Sequence, residues 1–209
     1  MVKDLTVVCV LKSGGEYTTK HVAALAEHTH AFLKRPHRFL CLTDRVKDVK
    51  DKGIDAAPLV RDWAGWWSKI CLFAPDVITG PAFYMDLDVR PVGQLDDIVL
   101  GHSFTMCDDF LSHGNYNSSV MAWDEDLSSI FYDFDRHPGK YMQEYRKRGK
   151  WGDQDFITHH SPVVPERMQE IHPGSVVSYK ADVVKRGSVP PDTRIVAFHG
   201  KPKPWKVGW

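Results

Sequence analysis

The chain has 209 residues, 43% of them hydrophobic, and its 27 lysines and arginines balance 27 aspartates and glutamates. This composition is typical of a folded chain of one or two domains and excludes extensive intrinsic disorder. The zero net charge argues against a broad electrostatic surface for nucleic acid or for an anionic membrane.

Short apolar runs alternate with an amphipathic segment in the first 60 residues. Leu5–Leu11 is rich in Val and predicts a strand that is buried on both faces. Val22–Leu33 has apolar residues at helical spacing, and Pro36 follows it. Arg38–Thr43 and Asp55–Val60 predict two further strands.

The remaining elements continue this alternation. Trp63–Ala74 predicts a helix with an aromatic start, and Pro81–Met85 predicts a short strand. Ser103–Cys107 and Ser119–Trp123 predict two later strands joined by a polar loop over residues 108–117. The last predicted elements are three helices and one strand: Asp124–Arg136, Gly139–Lys147, Gly152–His159 and Arg194–Phe198. Strands that alternate with helices favour an α/β domain with a largely parallel sheet.

The cysteines and the N-terminus predict a cytoplasmic protein. The four cysteines lie in apolar segments without a Cys-x-x-Cys pair, so we expect buried free thiols rather than a zinc ribbon. Asp4 interrupts any signal-peptide apolar region, and no stretch approaches the roughly 18 apolar residues of a membrane helix.

Asp86-Leu87-Asp88 follows a predicted strand directly. In an extended chain the two carboxylates face the same way, at the strand end where open α/β sheets bind ligands. The two carboxylates repel each other unless water or a cation lies between them. Their hard oxygen ligands suit Mg²⁺ or Mn²⁺. A solvated loop is the alternative, because Asp-x-Asp often arises by chance.

His199-Gly200-Lys201-Pro202-Lys203-Pro204-Trp205 follows the last predicted strand. Imidazole is a suitable third ligand for Mn²⁺, and glycine allows a ligand to approach the backbone. The two lysines are suited to neutralising a diphosphate. The alternative is an ordinary basic tail.

Three further segments have both a functional and a structural interpretation. Asn115–Ser119 places amides and hydroxyls where sugar hydroxyls would bind, although a turn also explains it. Trp151–Asp155 opens a predicted helix, where Asp153 is otherwise an N-cap. Lys69 lies on a largely apolar helix, where a lysine that extends to solvent is the alternative.

Along the chain the motifs are a strand with a Gly-rich exit, Trp67-Ser68-Lys69, Tyr84–Asp88, Asn117-Ser118, Gly152–Gln154 and His199–Trp205. In this order they resemble the motifs of the glycogenin-like glycosyltransferases, family eight, which have the GT-A fold. The resemblance runs from Leu5 to Trp205. It implies a Rossmann-like, mostly parallel sheet flanked by helices. It also implies a single domain over residues 1–209, with a nucleotide-binding half (1–100) and a half for the donor sugar and acceptor (101–209). The implied activity is transfer of a hexose from a nucleotide-diphosphate sugar, with UDP as the expected nucleotide, to an unknown acceptor with retention.

The resemblance also implies roles for particular residues. Asp86, Asp88 and His199 would hold Mn²⁺ (or Mg²⁺), and Asp153 and Gln154 would lie at the donor sugar as the catalytic pair. The residues expected around the donor are Val10, Leu11, Lys69, Asp86, Leu87, Asp88, Asn117, Ser118, Gly200, Lys201 and Lys203.

The chain departs from the family in two ways. His199 and Gly200 are adjacent, which is tighter than a His-x-x-Gly arrangement, so Lys201 and Lys203 both remain candidates for the diphosphate. The chain is short and has no assignable tyrosine acceptor, so self-glucosylation is not expected.

Two other functions stay open at this point. A phosphohydrolase or nucleotidyltransferase would use the same Asp-x-Asp pair with Asp108 and Asp109 holding a second metal. A non-catalytic sugar- or nucleotide-binding module would share the fold. If the enzyme inverted the sugar, Asp153 or Asp155 would be the candidate base.

Overall fold

A seven-stranded sheet lies at the centre of the computed structural model, which describes residues 4–209. In chain order the strands are β1 (Leu5–Leu11), β2 (His37–Thr43), β3 (Asp55–Pro58), β4 (Ala82–Met85), β5 (Val89–Pro91), β6 (Phe104–Asp108), β7 (Tyr116–Trp123), β8 (Glu166–Arg167), β9 (Val176–Ser178) and β10 (Ile195–Ala197). The large sheet has the order β3-β2-β1-β4-β7-β6-β8, and β5-β10-β9 form a second sheet of three strands. Strands β3, β2, β1 and β4 are parallel neighbours, and β7 is antiparallel to both β4 and β6.

The helices connect and cover these strands. They are α1 (Thr19–Phe32), α2 (Val46–Lys50), α3 (Ser128–Arg136), α4 (Pro138–Glu144), α5 (Asp153–His160) and α6 (Met168–Ile171). Gly65–Phe73 and Pro204–Lys206 form 3₁₀ helices, and Tyr179–Val184 forms a π-helix. At the start of α1, His21 Nδ1 accepts the backbone N–H of Thr18 at 2.8 Å, so a histidine takes the place of the usual acidic residue in a capping box.

The central sheet is buried on both faces, which explains why its strands are continuous apolar runs. On β1, Val7 and Cys9 pack into the cluster that contains the buried residues of α1, and Val8 packs into the opposite cluster. That second cluster includes Trp67 of the 3₁₀ helix and Phe156 of α5. The result is a layer of helix on each face of the sheet.

The expected fold class is confirmed: the chain is α/β, with a mostly parallel central sheet flanked by helices. The four cysteines are buried and unpaired, as expected. Within the described part of the chain, no helix combines the length and the apolar character needed to cross a membrane.

Several predicted boundaries were wrong. The predicted loop over residues 108–117 ends early, because Tyr116 and Asn117 already pair with Asp108 and Cys107 across an irregularity in β6. Helix α3 begins at Ser128, whose backbone N–H donates to Asp126 Oδ1 at 2.9 Å, rather than at residue 124. Six elements had no counterpart among the predicted ones, and each has six residues or fewer: α2, β5, β8, α6, β9 and the π-helix.

Candidate active site

A cavity of about 1150 Å³ opens where β1 and β4 end. Val10 near the end of β1 and the following segment from Lys12 to Tyr17 line one side. Asp86, Leu87 and Asp88 line the centre because β4 ends at Met85, immediately before them. This is the edge of an α/β sheet at which ligands bind, because the loops that leave parallel strands meet there.

Lys69 forms ion pairs with two of the acidic residues in the cavity. Its Nζ lies 3.2 Å from Asp86 Oδ1 and 2.9 Å from Asp153 Oδ2. It also donates to Ser118 Oγ at 2.9 Å, and Ser118 Oγ in turn donates to Asp153 Oδ2 at 3.0 Å. The 3₁₀ helix, β4, β7 and α5 therefore meet in one buried polar network.

Burial and charge act against each other in this network. Burial alone would lower the pKa of Lys69, but Asp153 and Asp86 outweigh it and raise the pKa, so the ammonium stays charged. Burial raises the pKa of Asp86, and the charge of Asp88 adds to this rise while Lys69 opposes it. Lys69 therefore does not extend to solvent but is a buried counter-ion, 6% exposed.

Asp88 forms an ion pair with a second lysine, Lys203. Lys203 Nζ lies 2.5 Å from Asp88 Oδ2, and Tyr17 OH donates to the same oxygen at 2.9 Å. Lys203 Nζ also donates to Tyr17 OH at 2.7 Å. Lys203 is buried and lines the cavity, whereas Lys201 is exposed and lies outside the lining, so the structure brings Lys203 to the site.

His199 lies in the cavity wall, where it contacts Ser178 and Phe110. Its Nε2 is 2.7 Å from Ser178 Oγ, and its ring stacks on Phe110 with centroids 5.0 Å apart. Burial and then Lys180 lower the pKa of His199. Among residues 4–209, no three His, Cys, Asp or Glu side chains are grouped so as to hold a metal ion. The role of His199 as the third metal ligand stays a prediction.

The two aspartates nevertheless suit a divalent cation chemically. Both carboxylates line the cavity, and the lysine and tyrosine contacts given above use one oxygen of each, Asp86 Oδ1 and Asp88 Oδ2. Mg²⁺ is commonly held by one or two carboxylates together with substrate phosphates. Asp86 and Asp88 therefore fit this mode of binding.

Asp153 and Gln154 enter the cavity from the first turn of α5. The helix follows Gly152, whose φ of 69° and ψ of −129° favour glycine. Gln154 Oε1 accepts a hydrogen bond from Asn117 Nδ2 at 3.4 Å, and Asn117 Oδ1 accepts one from the backbone N–H of Ser119 at 2.9 Å.

Most of the predicted donor-site residues line the cavity: Val10, Lys69, Asp86, Leu87, Asp88, Ser118, Asp153, Gln154, His199, Gly200 and Lys203. Leu11, Asn117 and Lys201 lie outside the lining. Leu11 is only 2% exposed because it packs into the core beside α1, and Asn117 reaches the site through Gln154.

The carboxylates proposed for a second metal are engaged elsewhere. Asp108 accepts Arg167 at 2.5 Å and contacts His113 at 2.8 Å. Asp109 Oδ1 accepts the backbone N–H groups of Leu111 and Ser112. Neither aspartate lines the cavity.

Several residues without a predicted role also line the cavity, among them Tyr17, Trp66, Arg146 and Lys150. Tyr17 lies in a connecting segment that has no motif. Trp66 and Trp67 are adjacent, and periodicity alone did not show which of them faces solvent.

Comparison with known proteins identifies the fold. No known family and no curated protein matches the sequence. The structure is similar to that of the glycosyltransferase GlyE of Streptococcus pneumoniae TIGR4, with a TM-score of 0.62 and 14% identity over 99% of this chain and 57% of that one. It is also similar to an active-site mutant of LgtC, with a TM-score of 0.62 and 14% identity over 96% of this chain and 89% of that one. For the apo form of mouse xyloside xylosyltransferase 1, the TM-score is 0.54 and the identity is 10%, over 96% and 100% of the two chains.

The chain thus spans a little over half of GlyE and most of LgtC. At identities of 10% to 15%, these likenesses establish the architecture. The chain has the fold of these glycosyltransferases, which is the GT-A type of fold expected from its sequence.

Proposed function

We propose that the protein is a family-eight-like glycosyltransferase that transfers a hexose from a UDP-sugar to an acceptor. The observation that carries this proposal is the cavity at the carboxyl edge of the sheet, where Asp86, Asp88, Asp153 and two buried lysines converge. The fold supports it, since the similar structures are of glycosyltransferases, and one LgtC structure is a complex with donor and acceptor sugar analogs.

In the proposed complex, the chain that leaves β1 lies beside the nucleoside, because glycines 14 and 15 leave room there. Asp86 and Asp88 would hold Mn²⁺ or Mg²⁺, with His199 as the proposed third ligand. The ion would supply positive charge against the departing diphosphate. Lys203 provides a second positive charge next to Asp88.

We propose retention at the anomeric carbon. An inverting enzyme needs a carboxylate that is free to take the acceptor proton. Asp153 is held by Lys69 and Ser118, and Asp155 Oδ2 accepts the backbone N–H of Trp151 at 2.9 Å. Both candidate bases are therefore engaged, which supports retention. NMR of the product from a donor of known configuration tests it, and an inverted product would overturn it.

The activity is tested by nucleotide release from UDP-, GDP- and ADP-sugars, measured with Mn²⁺ and with a chelator. We expect release from a UDP-sugar that requires the ion and is lost in Asp88→Asn. Asp51→Asn removes an exposed carboxylate outside the cavity and should leave release unchanged. Full activity of Asp88→Asn, or nucleotide release that the chelator does not change, would contradict the proposed metal site. Phosphate release without any sugar transfer would favour a phosphohydrolase instead.

A further inference from the structure

Two tryptophans at the cavity are left largely in solvent. Trp66 is 56% exposed and Trp151 is 59% exposed, and both line the cavity that contains Asp86 and Asp153. The neighbouring Trp67 is fully buried, so the 3₁₀ helix packs Trp67 into the core and leaves Trp66 in solvent. Large exposed aromatic groups beside a cleft are typical of ligand-binding surfaces.

The turn before α5 contacts the Trp66 indole and carries Trp151. A Cβ atom on Gly152 would lie 2.9 Å from Trp66 Nε1, so the absence of a side chain there allows the indole to lie against the backbone. Trp151 is held on the same turn by its backbone N–H, which donates to Asp155 Oδ2. The turn that delivers Asp153 to the donor site therefore also positions this aromatic surface.

Positive charge accompanies the aromatic surface. Arg146, Lys147, Arg148 and Lys150 are four cations in five residues, and no acidic residue lies among them. Arg146 and Lys150 line the cavity, with the Arg146 guanidinium 6.0 Å from the centre of the Trp66 ring. All four cations are exposed. Their charge is thus available to a ligand.

We propose that Trp66, Trp151, Arg146 and Lys150 form the acceptor subsite, and that it takes a sugar bearing a carboxylate or a phosphate. This inference rests on the proposed transferase function and names its acceptor class. The apolar C–H face of a sugar ring packs on an indole, and a guanidinium and an ammonium bind an anionic substituent through charge-assisted hydrogen bonds. A neutral sugar would use only the indoles.

The indole N–H signals of ¹⁵N-labelled full-length protein test the subsite directly. Trp66→Phe and Trp151→Phe assign the two signals. The probes are methyl glucuronide, glucose 6-phosphate, neutral methyl glucoside and inorganic phosphate. We expect both signals to move with at least one of the two anionic sugars, with an affinity roughly tenfold above that for the neutral glucoside, as one charge-assisted hydrogen bond provides. The glucuronide and the sugar phosphate distinguish the two sources of charge.

Arg146→Gln/Lys150→Gln should abolish this preference. Lys147→Gln/Arg148→Gln removes the same charge from exposed residues outside the cavity lining and should preserve it. Equal affinity for neutral and anionic sugars, equal responses to inorganic phosphate alone, or unmoved indole signals would each overturn the proposal.

A parallel UDP titration separates this inference from the function on which it rests. If UDP stabilises the protein but the indole signals do not respond to sugars, the acceptor subsite is wrong and the donor site stands. If the anionic sugars bind at the indoles but UDP has no effect, the proposed function fails and the anionic-sugar site remains.

Discussion

At the scale of single residues, Lys69 is the group on which the buried polar network depends. Lys69→Met would leave Asp86 and Asp153 without the ammonium that contacts both carboxylates. Breaking a buried ion pair by removing one partner costs about 3–5 kcal/mol. We therefore expect a loss of that size in the free energy of unfolding, measured by urea denaturation. Lys20→Met makes the same exchange at an exposed position of α1 and should change little; equal losses in the two variants would contradict the network.

His102 gives a pH prediction at the same scale. Its Nε2 is 2.9 Å from the Ile98 carbonyl oxygen, which can only accept, so Nε2 carries the proton and Nδ1 accepts Thr105 Oγ1 at 3.0 Å. Burial lowers the pKa of His102, so below about pH 6.5 the unfolded chain binds a proton that the folded chain does not.

The free energy of unfolding should therefore fall as the pH drops below about 6.5, by at most about 1.4 kcal/mol per pH unit from this histidine. His102→Gln should give a shallower slope in denaturation curves recorded from pH 7.5 down to about pH 5. An unchanged slope would show that the other histidines with lowered pKa values, at positions 21, 30 and 199, account for the pH dependence.

Only some of the residues of the site could be predicted from the sequence. The Asp-x-Asp pair was found because a strand end fixes where it points. The partners of these carboxylates were harder to predict, since Lys69, Lys203 and Tyr17 come from segments far apart in the chain. Contacts of this kind depend on tertiary packing, which periodicity does not report.

At the scale of elements, the turn before α5 determines how the site is assembled. Gly152→Ala places a side chain on a backbone with positive φ, which costs on the order of 1–3 kcal/mol, and brings its Cβ within 2.9 Å of Trp66 Nε1. Gly149→Ala also has positive φ, but its Cβ would meet no atom within 4 Å. We expect both variants to lose stability in urea, and only Gly152→Ala to shift the indole N–H signal of Trp66. An unmoved Trp66 signal in Gly152→Ala would contradict the described contact.

The long elements were predicted well, and the short ones were missed for a physical reason. β1, β2 and α1 each carry 7 to 14 residues of consistent apolar pattern, which is long enough to be recognised. β5, β9 and β10 have three residues each and form a separate small sheet. Their strand character comes from pairing with one another, so only the last, which lies in an apolar run before His199, was predicted.

At the scale of the whole molecule, the arrangement of the sheet explains how residues from distant segments reach one cavity. β1 and β4 are parallel neighbours, so the chain leaving each of them emerges at the same edge, and β7 adds Ser118 from the antiparallel side. The alternation of strands and helices predicted this α/β architecture. It did not predict the second sheet, through which β10 carries the segment from His199 to Lys203 to the same edge.

The central claim is that this cavity binds a nucleotide diphosphate through Asp88 and its neighbours, and thermal unfolding with UDP and Mn²⁺ tests it most directly. A ligand at a hundredfold excess over its Kd adds about 2.7 kcal/mol to the stability of the native state. For a chain of this size the account predicts a rise in Tm of roughly 5–10 °C for the wild type. It predicts smaller rises with ADP or GDP, and little or none for Asp88→Asn relative to the same variant without ligand. An unchanged Tm in the wild type, or an equal rise in Asp88→Asn, would contradict it.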